Sequence, residues 1–484
     1  MLNVGLVVSK RSREIMGDEF LRSVFMEENL QYVAEIGEYI GEDIKSNDIR
    51  SIVLISENYL ERLVESLEEA GIIPLAIEWI PLRWIEGKKM EYVKGLISSY
   101  VSKAREMDLV YRVQPVRISS VSRRSLLKFK LYEYRPYPIL ATESIAEKEV
   151  NRTLELCPVK ALAKTPEGPQ VSEPEKCVAC GYCSGASYLG FLEVPNLSTE
   201  QVIEFINSAI LKGEFNAILF TCSYDIEVPE NIIPLRVPCI ASIHDSFIMA
   251  SYAAGLQPIL YLDEKCENKE IGRKRLEEIP DYFPGTNLPI IKVQDKLELN
   301  KVNFRNLPKT GIDREVVLSR SRRRALYLWA IREMSKKVKL DLDATVPGIF
   351  NVKVDSSKCV LCGVCVRSCQ MMVPNISNIQ NSIQLIYDIP YCIGSERCIK
   401  NCPEKAITLE GYAKISDLKK VTYNISSLAK CKYCGKPLGS SKVKARVDEL
   451  LESFGFNLSE YTNVCNECKQ KILSRKWLEK VRTT

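Results

Sequence analysis

The sequence predicts a multidomain protein of mixed class, α/β plus α+β: two layered α/β domains, interleaved with small cysteine-rich modules and closed by a four-cysteine segment. Three observations predict it. The chain has 484 residues, enough for about three domains of ~150 residues, or more where metal holds some together. Short apolar runs alternate with amphipathic helical periodicity in two separate stretches. The 18 cysteines, against one histidine, fall in groups. With 46% hydrophobic and 27% charged residues and a net charge of +5, the composition is globular and too evenly charged to argue for a nucleic-acid partner. The longest apolar stretch, near Phe247 to Leu262, is broken by Gly255, Gln257 and Pro258, so no membrane span is expected. The N-terminal apolar run precedes its positive charges, the reverse of a secretory signal, which points to a cytoplasmic setting. Thiols stay reduced there, and cysteine spacing reads as metal ligation before disulfides. A lone His244 excludes Rieske centres and His-ligated catalytic zinc. Abundant Ile, Lys, Arg and Glu hints at a thermophile.

Residues 1–142 contain no cysteine. LNVGLVV, SIVLIS and IPLAIEWIP read as strands, and YLERLVESLEEAG and KMEYVKGLISSYVSKARE as helices, giving an open α/β layer. No GxGxxG and no P-loop occurs, so neither NAD, FAD nor a nucleoside triphosphate is expected. A docking or scaffold domain fits this absence.

Residues 143–197 carry Cys157, followed by Pro158, and the run Cys177, Cys180, Cys183. A C-x2-C-x2-C loop offers three thiolates to one cubane, and a remote Cys-Pro supplies the fourth. One [4Fe–4S] cluster is expected, because Ser187 stands where a ligand to a second cluster would be. Structural zinc on the same thiolates is the alternative.

Residues 198–300 alternate helix and strand in the pattern of a parallel sheet: TEQVIEFINSAILKG, NAILFTC, IIPLRVPC, DSFIMASYAAG, PILYLDEKC, KEIGRKRLEEI and PIIKV. Cys222, Cys239 and Cys266 each fall at or beyond a strand's carboxyl end, where open α/β sheets place ligands. They either hold a [2Fe–2S] cluster, with no fourth ligand evident, or are reduced buried thiols. Residues 301–350 read as a linker whose helix, REVVLSRSRRRALYLWAIREMSKKVK, has one solvated basic face.

Residues 351–425 hold two cysteine runs: Cys359, Cys362, Cys365 and Cys369, then Cys392, Cys398 and Cys402 before Pro403. In two-cluster ferredoxins the fourth cysteine of each run ligates the other cluster. One [4Fe–4S] cluster therefore takes Cys359, Cys362, Cys365 and Cys402. The second takes Cys369, Cys392 and Cys398, with Ser395 in the middle position. It is either [3Fe–4S] or a [4Fe–4S] cluster with Ser395 or solvent on the odd iron. Residues 426–484 carry Cys431, Cys434, Cys465 and Cys468, two CxxC pairs that flank the helical stretch VKARVDELLESFGF. This is a closed zinc-ribbon-like site, with zinc as the expected occupant.

RVPCIASIHDSFIMASYAAGLQPILYLDEKCENKEIGRKR resembles the delta subunit of methyl-viologen-reducing hydrogenase; Cys239 and Cys266 match two of that family's cysteines, and Cys222 in FTCSY looks like a third. IRSIVLISENYLERLVESLEEAGIIPLAIEWIPLRWIEG resembles the N-terminal domain of the FAD-carrying polypeptide of heterodisulfide reductase, with Ser56 where that family has cysteine and with the FAD domain itself missing. The resemblances imply an archaeal-type electron-transfer protein without flavin, working with other subunits of a redox complex. Two other classes stay open: a noncatalytic cluster and zinc scaffold or assembly protein, and an enzyme using an open iron near Ser395. No catalytic residue is assigned.

Overall fold

The computed structural model describes residues 2–37, 40–117, 132–141, 147–313, 315–319, 321–456 and 459–483. The chain divides into two compact units, Met1–Leu340 and Asp341–Thr484, and its class is mixed α/β. No helix among the described residues is long and apolar enough to cross a membrane.

The first unit contains two four-stranded parallel sheets. One is ordered Tyr32–Glu35, Val4–Val8, Ser51–Ser56, Ile77–Pro81; the other Ile232–Arg236, Ala217–Thr221, Gln257–Tyr261, Ile291–Val293. Each therefore places its strands in the order second, first, third, fourth. The inner strands VGLVV, SIVLIS, AILFT and QPILY are buried at every residue, which is why they read as uninterrupted apolar runs rather than alternating ones. Both sheets change winding direction between the first and third strands, and the crevice beyond those carboxyl ends is the usual ligand position.

The two sheets do not form separate domains. Helix Met90–Arg105 packs on helix Thr199–Lys212, with Tyr100 edge-on to Phe205 at 5.3 Å and Tyr92 edge-on to Phe215 at 5.5 Å. Gly95 makes this approach possible, since a Cβ there would stand 2.9 Å from the Phe215 ring. Trp84 Nε1 donates to the Ile226 carbonyl at 3.0 Å, and the Tyr100 hydroxyl donates to the Pro234 carbonyl at 3.2 Å. The sequence boundary at 142/143 lies outside the described residues.

The predicted linker is corrected by the structure. Helix Arg322–Lys337 lies within the first unit, and part of its basic surface is turned inward: Arg323 and Arg324 are buried at 1% and 3% exposure, while Arg332 and Lys336 stay exposed. Arg323 donates to the Ser184 carbonyl at 2.6 Å and to Ser184 Oγ at 3.0 Å, and lies 5.1 Å over the Phe247 ring. Buried acceptors at those positions outweigh the cost of removing the guanidinium from water.

In the second unit, strands Thr345–Val354 and Ile407–Lys414 pair antiparallel. A four-stranded antiparallel sheet runs Pro374–Ile379, Ser382–Asp388, Lys420–Lys430, Pro437–Ser440. The predicted boundary at 425/426 falls inside the strand Lys420–Lys430, which pairs with Ser382–Asp388 on one side and Pro437–Ser440 on the other. The cysteine runs and the terminal CxxC pairs thus flank the strands of one sheet within one unit.

Candidate metal centres

Three loops carry the same backbone. In Cys177–Cys183, Cys359–Cys365 and Cys392–Cys398 the residue two after the first cysteine is left-handed (Ala179 φ 51°, Leu361 φ 63°, Gly394 φ 65°). So is the residue four after it (Gly181 φ 67°, Gly363 φ 75°, Glu396 φ 60°). A short helix follows each time: Tyr182–Gly185, Val364–Ser368 and Arg397–Lys400. Side chains rarely accept positive φ, so Ala179, Leu361 and Glu396 are held there by the surrounding chain, a pattern found at ligand-clamping loops. Ser395 occupies in the third loop the position of Cys180 and Cys362 in the others, and it is half-buried.

The remote cysteines repeat too. Cys157, Cys369 and Cys402 each precede by three a left-handed residue, Lys160 (φ 53°), Met372 (φ 52°) and Lys405 (φ 49°). Each of those residues donates its N–H back to the cysteine carbonyl, at 3.3, 3.3 and 3.2 Å. The N–H groups of Ala161 and Ala406 reach Cys157 Sγ and Cys402 Sγ at 3.3 and 3.4 Å. Amide donors aimed at sulfur are what a thiolate ligand needs in place of water.

Cys157, Cys177, Cys180 and Cys183 are all buried, and Cys183 is faced by the other three. Burial raises the thiols of Cys177, Cys180 and Cys183, Cys180 to about 11, and the neighbouring sulfurs add to the rise. Close-packed thiols that resist ionisation alone are stable when a cation shares them. The guanidinium of Arg323 stands near Cys183. Ser187 is not a ligand: its Oγ bonds Glu149 Oε1 at 2.9 Å and accepts the Gly190 N–H at 3.1 Å. His244 is not a ligand either. Its Nδ1 accepts the Ser246 N–H at 3.0 Å, and its Nε2 lies 2.7 Å from the Ser187 carbonyl, so Nε2 bears the proton.

In the second unit Cys365 faces Cys359 and Cys362, while Cys398 faces Cys392 and Cys369. The fourth cysteine of the first run thus sits with the second loop. Burial lifts both Cys365 and Cys398 to about 11. Gly394 lies against the Phe350 ring, which a Cβ would meet at 2.7 Å.

Cys222, Cys239 and Cys266 converge in the crevice of the second sheet. Cys266 takes hydrogen bonds from Cys222 and Cys239, which lower its thiol, while Cys222 and Cys239 are pushed up. Arg236 faces Cys222 and Cys266, its guanidinium 4.7 Å over the Tyr224 ring and its buried Nε without a hydrogen-bond partner. This site adjoins the first one: Cys180 and Cys239 belong to one apolar cluster, with Cys266 packed against it. Gly181 and Gly185 close the seam, since a Cβ would stand 2.5 Å from Ser242 Cβ and 2.2 Å from the Ala241 carbonyl oxygen. Arg236 and Arg323 carry no spacing signal, which is why sequence reasoning missed them.

The terminal site differs in scale. The sulfurs of Cys431, Cys434, Cys465 and Cys468 all lie within 4.8 Å of one another, with Cys434 Sγ and Cys465 Sγ 3.6 Å apart. Bonds of ~2.3 Å in a tetrahedron give a sulfur–sulfur edge of ~3.8 Å, so this cage fits a single ion. Burial opposes ionisation of Cys431, but the N–H groups of Cys465, Cys434 and Tyr433 prevail and lower it to about 6. Among the described residues, Val464, Leu438 and Ile472 accompany the cysteines in its apolar cluster. No family model matches this chain, and no curated protein matches it.

Proposed function

We propose that the chain is an iron–sulfur electron-transfer protein, a subunit of a heterodisulfide-reductase-like or hydrogenase-linked redox complex. The carrying observation is the backbone repeat: three C-x2-(C/S)-x2-C loops with left-handed residues at the same two positions, each matched to a remote cysteine on its own repeated turn. Cys157, Cys177, Cys180 and Cys183 take one [4Fe–4S] cluster, and Cys359, Cys362, Cys365 and Cys402 another. Cys369, Cys392 and Cys398 take a third, [3Fe–4S] or [4Fe–4S], with Ser395 at the odd iron. Cys222, Cys239 and Cys266 take a smaller cluster beside the first, with Arg236 offsetting its charge. The four terminal cysteines take zinc. One-electron chemistry comes from the clusters; the chain tunes it through N–H···S bonds, burial and nearby cations.

Protein purified without oxygen should contain about eleven or twelve irons from the three loop clusters, about two more from the three-cysteine site, one zinc and no flavin. Ser395→Cys should add about one iron per chain and abolish the EPR signal of an oxidised three-iron centre. Stoichiometric flavin, or zinc in place of iron at the loops, would defeat the reading. Turnover lost specifically in Ser395→Cys would favour an enzyme using the open iron.

A further inference from the structure

The phenolic hydroxyl of Tyr387 is buried and has no nitrogen or oxygen partner. Its strand, Ser382–Asp388, is a central member of the second unit's sheet, and its ring meets Tyr423 edge-on at 5.5 Å, which fixes its direction. The groups facing the hydroxyl are two sulfurs, those of Cys365 and Cys398. These stand at the third position, six residues after the first cysteine, of two loops with one backbone, and they face each other. Tyr387 therefore stands where the two equivalent ligand sets come nearest. A buried hydroxyl without a partner is costly, and a sulfur made electron-rich by a cluster is the acceptor this one lacks.

We propose that Tyr387 is a positioning residue shared by two clusters, donating its single O–H to sulfur of either one and so coupling their reduction. This rests on the cluster reading above. A phenol has one proton to donate and here two acceptors to choose between. Reduction raises the negative charge on a cluster and strengthens a hydrogen bond to its sulfur. The first electron thus draws the O–H to the cluster that receives it, and the second finds the donor engaged. The hydroxyl raises the more positive potential more than the other, and separates the two.

The test is an EPR-monitored redox titration of the full-length protein and of Tyr387→Phe, which removes only the oxygen. The first of the two couples should become about tenfold harder to reduce, 59 mV for one electron, and the gap between the two should narrow. The cluster on Cys157, Cys177, Cys180 and Cys183 belongs to the other unit and should keep its potential. If the phenylalanine variant loses iron, a ring-fluorinated tyrosine at 387, a stronger donor of nearly the same size, should raise the first couple and widen the gap. Full iron content with both couples unmoved by either change overturns the role of Tyr387 alone. Wild-type protein without iron in these loops overturns the electron-transfer reading and this proposal with it.

Discussion

His244 shows how much one residue's surroundings decide. The chain's only imidazole caps helix Asp245–Ala254, spends both ring nitrogens on fixed partners, and is faced by Arg323, Arg275 and Arg324. Burial and those cations hold its pKa well below the usual value. The folded state keeps it neutral, whereas the unfolded chain binds a proton near pH 6.5. Its stabilising contribution is therefore complete above about pH 6.5 and is lost as pH falls toward the depressed folded value. The single imidazole resonance should not titrate around pH 6.5 in native protein, and the unfolding midpoint of the first unit should drop below that pH, less steeply in His244→Asn. A native resonance that titrates normally would contradict the geometry. The histidine and the cysteines could be counted in the sequence, but the duties of His244, Arg323 and Ser187 could not. Each depends on partners 57, 139 and 38 positions away, and no local pattern records them.

Elements were legible where local pattern and burial agree. The inner strands of both parallel sheets announce themselves as unbroken apolar runs, whereas the half-buried edge strand Tyr32–Glu35 does not, and helix Thr199–Lys212 shows its start by a capping box, Ser198 with Gln201. The strand Lys420–Lys430 did not: half-exposed, it alternates polar and apolar residues, and proximity to Cys431 drew a boundary through it. The basic helix Arg322–Lys337 misled for the opposite reason, since charge on a helix face usually means solvent. The loops lie between these cases, because cysteine spacing marks where they fall while the left-handed turns at Ala179, Leu361 and Glu396 carry no glycine to mark them. The seam at Gly185 turns this into a measurement. A methyl group there collides with the Ala241 carbonyl, so Gly185→Ala should cost about 1–3 kcal/mol in thermal or denaturant unfolding of the first unit. It should disturb the spectra of both cysteine sites flanking the seam. Wild-type stability with both spectra unchanged would mean the loop and the turn are not in contact.

Taken whole, the chain is two units held by different means. The first has two extensive apolar sheets and buries the Lys103–Glu78 ion pair; the far end of the second has a four-residue edge strand, three helices and, among the described residues, very little core. Under the proposed zinc assignment metal supplies what apolar burial does not, since structural zinc contributes about 10–16 kcal/mol to small peptides. Cys468→Ala, or a strong chelator, should melt helices Ser441–Ser453 and Asn466–Thr483, seen as lost far-UV ellipticity. Strands Ser382–Asp388 and Lys420–Lys430 should persist through their own ladder, and the iron signals with them. Loss of those signals on zinc removal would show one cooperative block instead. The seam between Cys180 and Cys239 bears on how such a protein matures. With no space for even a methyl group between the loop and the turn, nothing the size of an inorganic core can pass once they have met. Under the cluster reading the two sides must therefore be filled separately, and the half-buried Cys222 and Cys266 leave the second side open to filling after the seam has closed.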